Sequence, residues 1–548
     1  MELTKHKVPL ALYGWIVSVA LLFLILVAWC GSAQGRTTDA DQPEMTLAAA
    51  VGLALRNNRS IRSAQLTREA QRFAVRVQES LFQPQASLSA GAAVTRRRQE
   101  SFNTSDSGTA GITSIVDQLN YAASLAPVVS LRSPIGTSYT LLLNSAFSRT
   151  SDYWDSNRDD RRFTANPELT IVQPLLRGLG RGVNTANLEI ARLNEELGRL
   201  ALRDTVAQEI TSVITTYWQV VLTREQLEIS RLALERAREV EAVNLSLIET
   251  GRMAEVEIVQ TEADVAEQEF SLAVAENAFQ QSKLGLLALL DLPEFIDFQP
   301  QKIEDIERVD IPLAPALELA LANRREIVQA AINVALTEIG LIVAKDGRKW
   351  ELNLVGTAGS NNTRRHVGDT IWGLGRDSYS LSIGVELVIP LTDLSLEDAV
   401  IDARRDLQTA RLAQEETEQN VRIDVQNSVR DVVANFRQAQ LAANARTLAE
   451  RQLAIEQEKL SLGRSSNFQV LSFQDALRSS QLNEVSARIA YLNAVAALDF
   501  ALGSTLRTWQ IEVSDNSARM LIDDSEALPV LSLPPGYRDR SPELPTIE

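Results

Sequence analysis

The sequence predicts a mainly α-helical fold that also carries membrane β-strands and is built twice from the same series of elements. Residues 184–250 repeat apolar side chains at coiled-coil spacing over about seven heptads, with no proline among them. Other segments alternate apolar and polar residues, as strands with one apolar face do. The order helix, strands, long helix, glycine turn and helix then recurs in the second half.

Each long helix ends at a glycine. One heptad register of the first helix contains Ala186, Leu193, Leu200, Ala207, Ile214 and Val221. A second helical pattern starts just beyond Gly251, so this glycine predicts a hairpin turn. Residues 396–462, Gly463 and a return helix to Leu502 are the matching elements. The register between the halves is set by Leu53 and Leu319, which are 266 residues apart.

Strands are predicted where the apolar period changes to two. A helix over residues 45–83, with Thr46 as its N-cap, leads past Pro84 into the first strand. Alternation predicts strands over residues 86–95, 139–147, 163–171, 352–354 and 379–389. Pro174 and Pro390 end the last strand of each half, because proline cannot donate to a strand ladder.

Two stretches near the strands lack a clear period. Residues 96–120 are polar, so a loop is predicted there, and residues 364–376 predict a second loop. The pairing of residues 121–150 stays open. The first half therefore holds more strand material than a simple hairpin needs.

The elements divide the chain into five parts. A signal peptide is predicted over residues 1–35 and a first repeat over residues 36–290. An acidic linker that contains proline follows over residues 291–312, then a second repeat over 313–506 and an irregular tail over 507–548.

The first residues predict export. Lys5 and Lys7 precede a long apolar run, and small residues follow it, as in a cleaved signal peptide. The run is also long enough to be weighed as a membrane anchor. A further alternative is lipid attachment at Cys30, although the bulky Trp29 precedes it where lipoprotein signals have a small residue.

Composition excludes several function classes. The net charge of −17 argues against a nucleic-acid partner, because binding phosphates requires a basic surface. Once the signal is removed, His366 is the only histidine and no cysteine remains. Neither a Cys/His metal site nor a Cys–His nucleophile pair can form, and no phosphate-binding glycine motif is present. We therefore expect no enzyme activity, no cofactor and no metal.

The strands of an exported protein with one apolar and one polar face favour an outer-membrane β-barrel. The alternative is a soluble sheet packed on helices. Strands of about 10 residues suit a bilayer. About four strands cannot close a barrel, and lipid does not tolerate an open sheet edge. Three copies would bring about 12 strands, and their helices would pool into a hollow cylinder.

The chain resembles the TolC-type outer-membrane efflux protein family over residues 45–506. The resemblance rests on Leu53-Ala54-Leu55, Asn57-Asn58, Pro84, Pro174, Pro390, Thr250-Gly251-Arg252-Met253 and Leu462-Gly463-Arg464-Ser465. It implies a homotrimeric channel-tunnel in the outer membrane, with a 12-stranded barrel and a helical tunnel through the periplasm. It also implies a periplasmic adaptor and an inner-membrane RND or ABC transporter as partners. A periplasmic coiled-coil scaffold and an adaptor protein are the alternative functions.

The same resemblance places the two glycine turns at the periplasmic tips. The residues expected to contact the adaptor are Thr250, Gly251, Arg252, Met253, Leu462, Gly463, Arg464 and Ser465. Family members narrow the tunnel with carboxylates six and nine residues after the second glycine, where this chain has Gln469 and Ser472. Glu255 and Glu257 remain as candidate gate charges, with a solvated helix face as the alternative.

Overall fold

The computed structural model describes most of the chain between Glu44 and Val513. The described residues are 44–104, 110–152, 159–251, 253–302, 306–372, 378–391, 393–462 and 464–513. The predicted signal peptide, Cys30 and most of the predicted tail lie outside these ranges.

The first half of the chain begins with a short strand and two helices, continues as four long strands and ends as a helical hairpin. Strand β1 spans Glu44–Met45, helices α1 and α2 span Leu47–Asn57 and Arg59–Ser80, and strands β2 to β5 span Gln85–Thr104, Ala110–Arg132, Ser138–Asp152 and Asp159–Pro174. The hairpin follows as α3 (Arg181–Asn184), α4 (Ala186–Glu249), a 3-10 turn (Glu255–Glu257) and α5 (Ile258–Leu289).

The second half repeats this order with fewer strands. It comprises β6 (Gln299–Pro300), α6 (Leu313–Asn323), α7 (Arg325–Gly347), β7 (Glu351–Gly359), β8 (Asn362–Arg364), α8 (Val367–Trp372), β9 (Ser380–Val388), α9 (Ser395–Ser461), α10 (Asn467–Ala501) and α11 (Thr505–Thr508). The predicted long helices and return helices are confirmed to within a few residues.

The first helix of each half is broken after 11 residues. Thr46 caps α1 as predicted, since the Ala49 N–H donates to its hydroxyl at 3.1 Å. The prediction of one helix over residues 45–83 is wrong, because Asn58 has an extended ψ of 130° and caps α2 instead. Its side-chain oxygen accepts the N–H groups of Ser60 and Ile61 at 2.8 and 3.2 Å.

Most of the helices share one apolar core. Ile214 and Val221 of α4 are buried in it, together with Val425 of α9 and Val495 of α10. A second, smaller core of Ala449, Leu453, Val470 and Leu477 lies in the second hairpin. Helix α7 is long and apolar enough to span a membrane. It packs along α9 and α4 and leads directly into β7, so it belongs to the helical body.

One antiparallel sheet joins the strands of both halves. The order is β2-β3-β4-β5-β7-β9, with the short β8 pairing with β5 beside β7. The prediction of about four strands per chain is wrong, because six long strands lie in the described part of this sheet. A total of 12 strands from three copies therefore no longer follows.

The loop predicted over residues 96–120 is also wrong, since β2 and β3 continue through most of it as a hairpin. Polar pairs hold this part of the ladder together: the guanidinium of Arg96 reaches the Asp117 carboxylate at 2.6 Å. Residues 121–131, whose pairing stayed open, pair with β2 on one side and with β4 on the other.

Two buried tyrosines hold the linker between the halves. The Tyr217 hydroxyl donates to the carbonyl of Met45 at 2.9 Å and accepts the N–H of Gln301 at 3.1 Å. Tyr491 does the same in the second half, donating to the carbonyl of Glu307 at 2.7 Å and accepting from Val309 at 3.0 Å. The linker is therefore fastened across the middle of the helical body.

We expect the helical body to lose stability between about pH 10 and pH 12. Burial raises the pKa of Tyr217 from 10.0 to about 12. Its neutral form is therefore favoured by folding, and this contribution is present below pH 10 and is lost as the pH rises through about 12. Thermal unfolding followed by circular dichroism at pH 8 and pH 11 measures this loss.

Tyr217→Phe removes the titrating hydroxyl, so this variant should lose less stability between the two pH values than the wild type. At pH 8 it should be less stable by about 1 kcal/mol, because its hydrogen bonds are missing. Tyr379→Phe is the control, since the Tyr379 side chain is 82% exposed. An alkaline loss in Tyr217→Phe equal to that of the wild type would contradict the assignment.

Candidate functional site at the hairpin tips

The first hairpin turns at Gly251 as predicted. Gly251 has a left-handed φ of +67°, and its N–H donates to the carbonyl of Ile248 at 2.9 Å. Thr250 ends α4, and its hydroxyl donates to the carbonyl of Ser246 at 3.0 Å. Met253 then leads into the 3-10 turn that opens α5. Arg252 lies outside the described residues.

The second hairpin turns beside Arg464, whose N–H donates to the carbonyl of Lys459 at 2.8 Å. Glu456 is buried under this turn, where it accepts the Ser465 hydroxyl and the Lys459 ammonium group. These two hydrogen bonds hold the pKa of Glu456 below its usual value, and the one from Ser465 has the larger effect. The carboxylate therefore fastens the turn. Leu462 is exposed at its start, and Gly463 lies outside the described residues.

The candidate gate residues lie on the surface near the tips. Glu255 and Glu257 are exposed on the 3-10 turn. Gln469 and Ser472 are exposed on the first turns of α10. Their role in gating stays a proposal.

A buried polar cluster that the sequence did not reveal joins the two hairpins just above the tips. Thr261 of α5 is 0% exposed, and its hydroxyl accepts the side-chain amides of Asn244 of α4 at 2.8 Å and Asn467 of α10 at 3.2 Å. Asn244 and Asn467 are themselves 1% and 5% exposed. One hydroxyl therefore links three helices and both hairpins.

A second polar layer lies further from the tips. The Arg478 guanidinium of α10 donates to the side chains of Gln268 and Ser271 of α5 at 3.1 and 3.3 Å. Asp475 lies beside it with its side chain more than half exposed, and partial desolvation, opposed by Arg478 and assisted by Asp264, raises the pKa of Asp475. Asp475 also follows Gln469 and Ser472 at three-residue spacing on the exposed side of α10.

The sequence carries little sign of these polar layers. Asn244 is not on the heptad register of Ala186 and Val221, and only its burial and that of Thr261 in the folded chain mark them as residues that fix the register of the helices. The sequence does not indicate their partners either, because residues 17 and 206 positions apart meet only after the two hairpins have packed.

Comparisons with known proteins agree with this architecture. Residues 316–504 match the family described as outer membrane efflux protein. The chain is 26% identical over 383 residues to the pyoverdine export outer membrane protein OpmQ of Pseudomonas putida, covering 66% of this chain and 74% of that protein. It is also 26% identical to OpmQ of Pseudomonas aeruginosa, of which the match spans 61%.

Solved outer-membrane channels share the fold. The CmeC channel of Campylobacter jejuni superposes with a TM-score of 0.62 over 86% of this chain and 90% of its own, at 14% identity. VceC of Vibrio cholerae gives a TM-score of 0.62 over 83% of this chain and 96% of its own, at 16% identity.

Proposed function

Because this chain is a TolC-type outer-membrane efflux protein, we propose that three copies of it form a passive conduit across the outer membrane and the periplasm. The strands form the part in the membrane, and the helical hairpins form the tunnel. A periplasmic adaptor and an inner-membrane transporter supply the cargo and the energy.

The observation that carries this proposal is the exposed apolar seam of α9. Leu441, Leu448 and Ile455 keep a strict seven-residue spacing, yet each is more than half exposed in the single chain. On α4, by contrast, the seam residues Ala207, Ile214 and Val221 are buried within the same chain. A heptad seam without a partner predicts a helix from a neighbouring copy.

The sheet supports the same assembly. Strands β2 and β9 are its two edges, and β9 is exposed along its whole length. Leu381 and Ile383 of β9 are 80% and 78% exposed. Edges of this kind must be paired if the sheet lies in lipid. A periplasmic scaffold or adaptor has no need of this apolar sheet.

The tips are proposed to contact the adaptor. Thr250, Gly251, Met253, Leu462, Arg464 and Ser465 form the ends of the two hairpins. The hydrogen bonds of Thr250, Gly251, Arg464 and Ser465 described above hold the two turns in place. Arg252 and Gly463 complete the proposed contact. The relatives are named for pyoverdine export, which favours a small-molecule cargo over a protein cargo.

Planar-bilayer recording tests the proposal. We expect the purified protein to insert from detergent and give discrete, ohmic conductance steps. Added adaptor should change the conductance or the open time if it binds at the tips. The control is an Arg464→Glu variant, which should keep the steps and lose the response to the adaptor. Folded, β-rich protein that gives no steps would contradict a conduit.

A further inference from the structure

Strands β2 and β3, the additional strand pair of the first half, are continuous with the rest of the sheet. Each neighbour in the order β2-β3-β4-β5-β7-β9 is antiparallel to the next, so β2 and β9 run in opposite directions. An even number of alternating strands lets the β9 edge of one copy meet the β2 edge of another in the antiparallel sense.

One apolar face crosses all six strands. Register places side chains of neighbouring strands side by side on this face, which Ser145 and Gly356 interrupt. Arg149 and Arg161 lie on the same face at the level of Tyr121, just beyond Phe147 and Phe163. Its members are Leu88, Ala90, Ala92 and Val94 of β2; Tyr121, Leu125 and Val129 of β3; Tyr139, Leu141 and Phe147 of β4; Phe163, Leu169 and Ile171 of β5; Leu354 and Ala358 of β7; and Leu381, Ile383 and Val385 of β9.

The height of this face fits a bilayer. From Tyr139 to Phe147 the apolar positions of β4 extend for about 27 Å along the strand, which at a tilt of about 40° is a height of about 21 Å, comparable with the band of about 25 Å in outer-membrane barrels. Phe147 and Phe163 stack at one end of it, with ring centroids 4.8 Å apart. Strands β2 and β3 carry the face over the same height as β4 and β5. A strand pair that lies outside the membrane would not need this apolar face.

The opposite face is polar in all six strands. It carries mainly serine, threonine, asparagine and glycine, including Ser87 and Ser89 of β2, Asn120 and Ser124 of β3, Thr140 and Asn144 of β4, Asn166 and Thr170 of β5, Asn353 and Thr357 of β7, and Ser382 and Gly384 of β9. Such side chains suit a water-filled interior.

The turn between β3 and β4 is built into the joint between sheet and helices. The N–H of Gly180 donates to the carbonyl of Ile135 at 3.1 Å, and the Arg132 guanidinium donates to the side chain of Asn184 at 3.1 Å. The Asn184 amide in turn donates to the carbonyl of Gly178 at 2.7 Å. The additional strand pair is therefore fastened where β5 passes into α3.

We propose that all six long strands belong to the barrel wall, and that the β9 edge of each copy pairs with the β2 edge of the next. The proposal rests on the proposed trimer, and three copies then close an 18-stranded barrel. The partner that covers each free sheet edge is thus a second copy of this chain, bound edge to edge.

The size of such a barrel agrees with the helical tunnel. Strands about 4.8 Å apart and tilted by about 40° give 18 strands a backbone diameter of about 36 Å, compared with about 24 Å for 12 strands. A ring of about 12 helices at about 10 Å spacing has a diameter of about 38 Å. The wider barrel continues the tunnel without a step, so the tips and not the barrel would select the cargo.

Disulfide crosslinking in outer membranes tests which strands meet. Gly384→Cys in β9 is combined in turn with Ser87→Cys, Ser89→Cys or Ala93→Cys in β2, because all four positions lie on the polar face. The matched set combines Gly384→Cys with Thr140→Cys, Leu142→Cys or Asn144→Cys in β4. Protein with Gly384→Cys alone is the blank, which shows the products that form without a partner cysteine. Electrophoresis under non-reducing conditions gives the number of chains in each covalent product.

We expect at least one β9–β2 combination to give covalent products of up to three chains, and every β9–β4 combination to give the blank pattern. Products of three chains through β9–β4 would overturn the 18-stranded barrel, because β2 and β3 would then lie outside the wall, while the proposed trimer would stand. Products that stop at two chains, or no products from any combination, would overturn the trimer and the barrel together.

Discussion

Replacing Thr261 by valine should loosen the hairpin tips and raise the single-channel conductance several-fold. The valine keeps the shape of the side chain but removes the hydroxyl that accepts the amides of Asn244 and Asn467. Each amide is then a buried donor without this partner, at a cost of about 1–3 kcal/mol. Separation of the two hairpins lets water reach both amides, so the altered protein should favour an open arrangement.

Thr205→Val is the matched control for this experiment. Its hydroxyl donates to the carbonyl of Ala201 within the same helix, so its loss breaks no link between hairpins. Conductance in planar bilayers should rise in Thr261→Val and stay at the wild-type value in Thr205→Val. Equal conductance in both variants would remove the polar cluster from the gate.

Replacing Gly136 by alanine should prevent most of the chain from assembling into folded channel. Gly136 has a φ of +101°, and a Cβ there would lie 2.3 Å from the Gly178 carbonyl oxygen and 2.8 Å from the Asn184 amide nitrogen. The contact is with backbone, so it cannot be relieved by rotating a side chain. The turn between β3 and β4 would have to leave the joint that holds the additional strand pair.

Gly180→Ala separates this clash from backbone strain. Gly180 has nearly the same φ, +102°, but a Cβ there meets no atom within 4 Å. It should therefore cost only the strain of an alanine in a backbone conformation that favours glycine (φ +102°, ψ 161°), about 1–3 kcal/mol. The yield of folded protein in the outer membrane should fall sharply for Gly136→Ala and only slightly for Gly180→Ala. Equal yields would show that the joint does not hold the sheet.

The helical elements could be predicted because their signal is long and periodic. Residues 184–250 contain enough heptads for the apolar spacing to define both the helix and its seam, and Gly251 fixes the turn. The break at Asn58 escaped prediction because asparagine reads equally as a helix residue and as a cap. Only the hydrogen bonds to its side chain decide between the two.

The second half of β2 and the strand β3 could not be predicted, because two signals hid them. Beyond the apolar band, β2 and β3 are held by pairs such as Arg96 and Asp117, which resemble the residues of a solvated loop. Pro127 lies within β3, where proline argues against a strand. The ladder accommodates it, since the register between β3 and β4 skips from Leu125 to Val128.

The site at the hairpin tips was predicted only in part, because some of its residues are brought together by contacts between distant parts of the chain. Local turn chemistry identified Gly251, whereas Thr261 and Asn467 come together only through the packing of separate hairpins. Asp475, on the same exposed side of α10 as Gln469 and Ser472, was not singled out because its environment depends on α5.

Native mass spectrometry of the protein, extracted from outer membranes in detergent, tests the central claim that several copies must build one channel. We expect the mass of three chains, retained while the β-sheet signal in circular dichroism persists. A folded single chain with its β-sheet signal intact, or a folded dimer, would contradict the account.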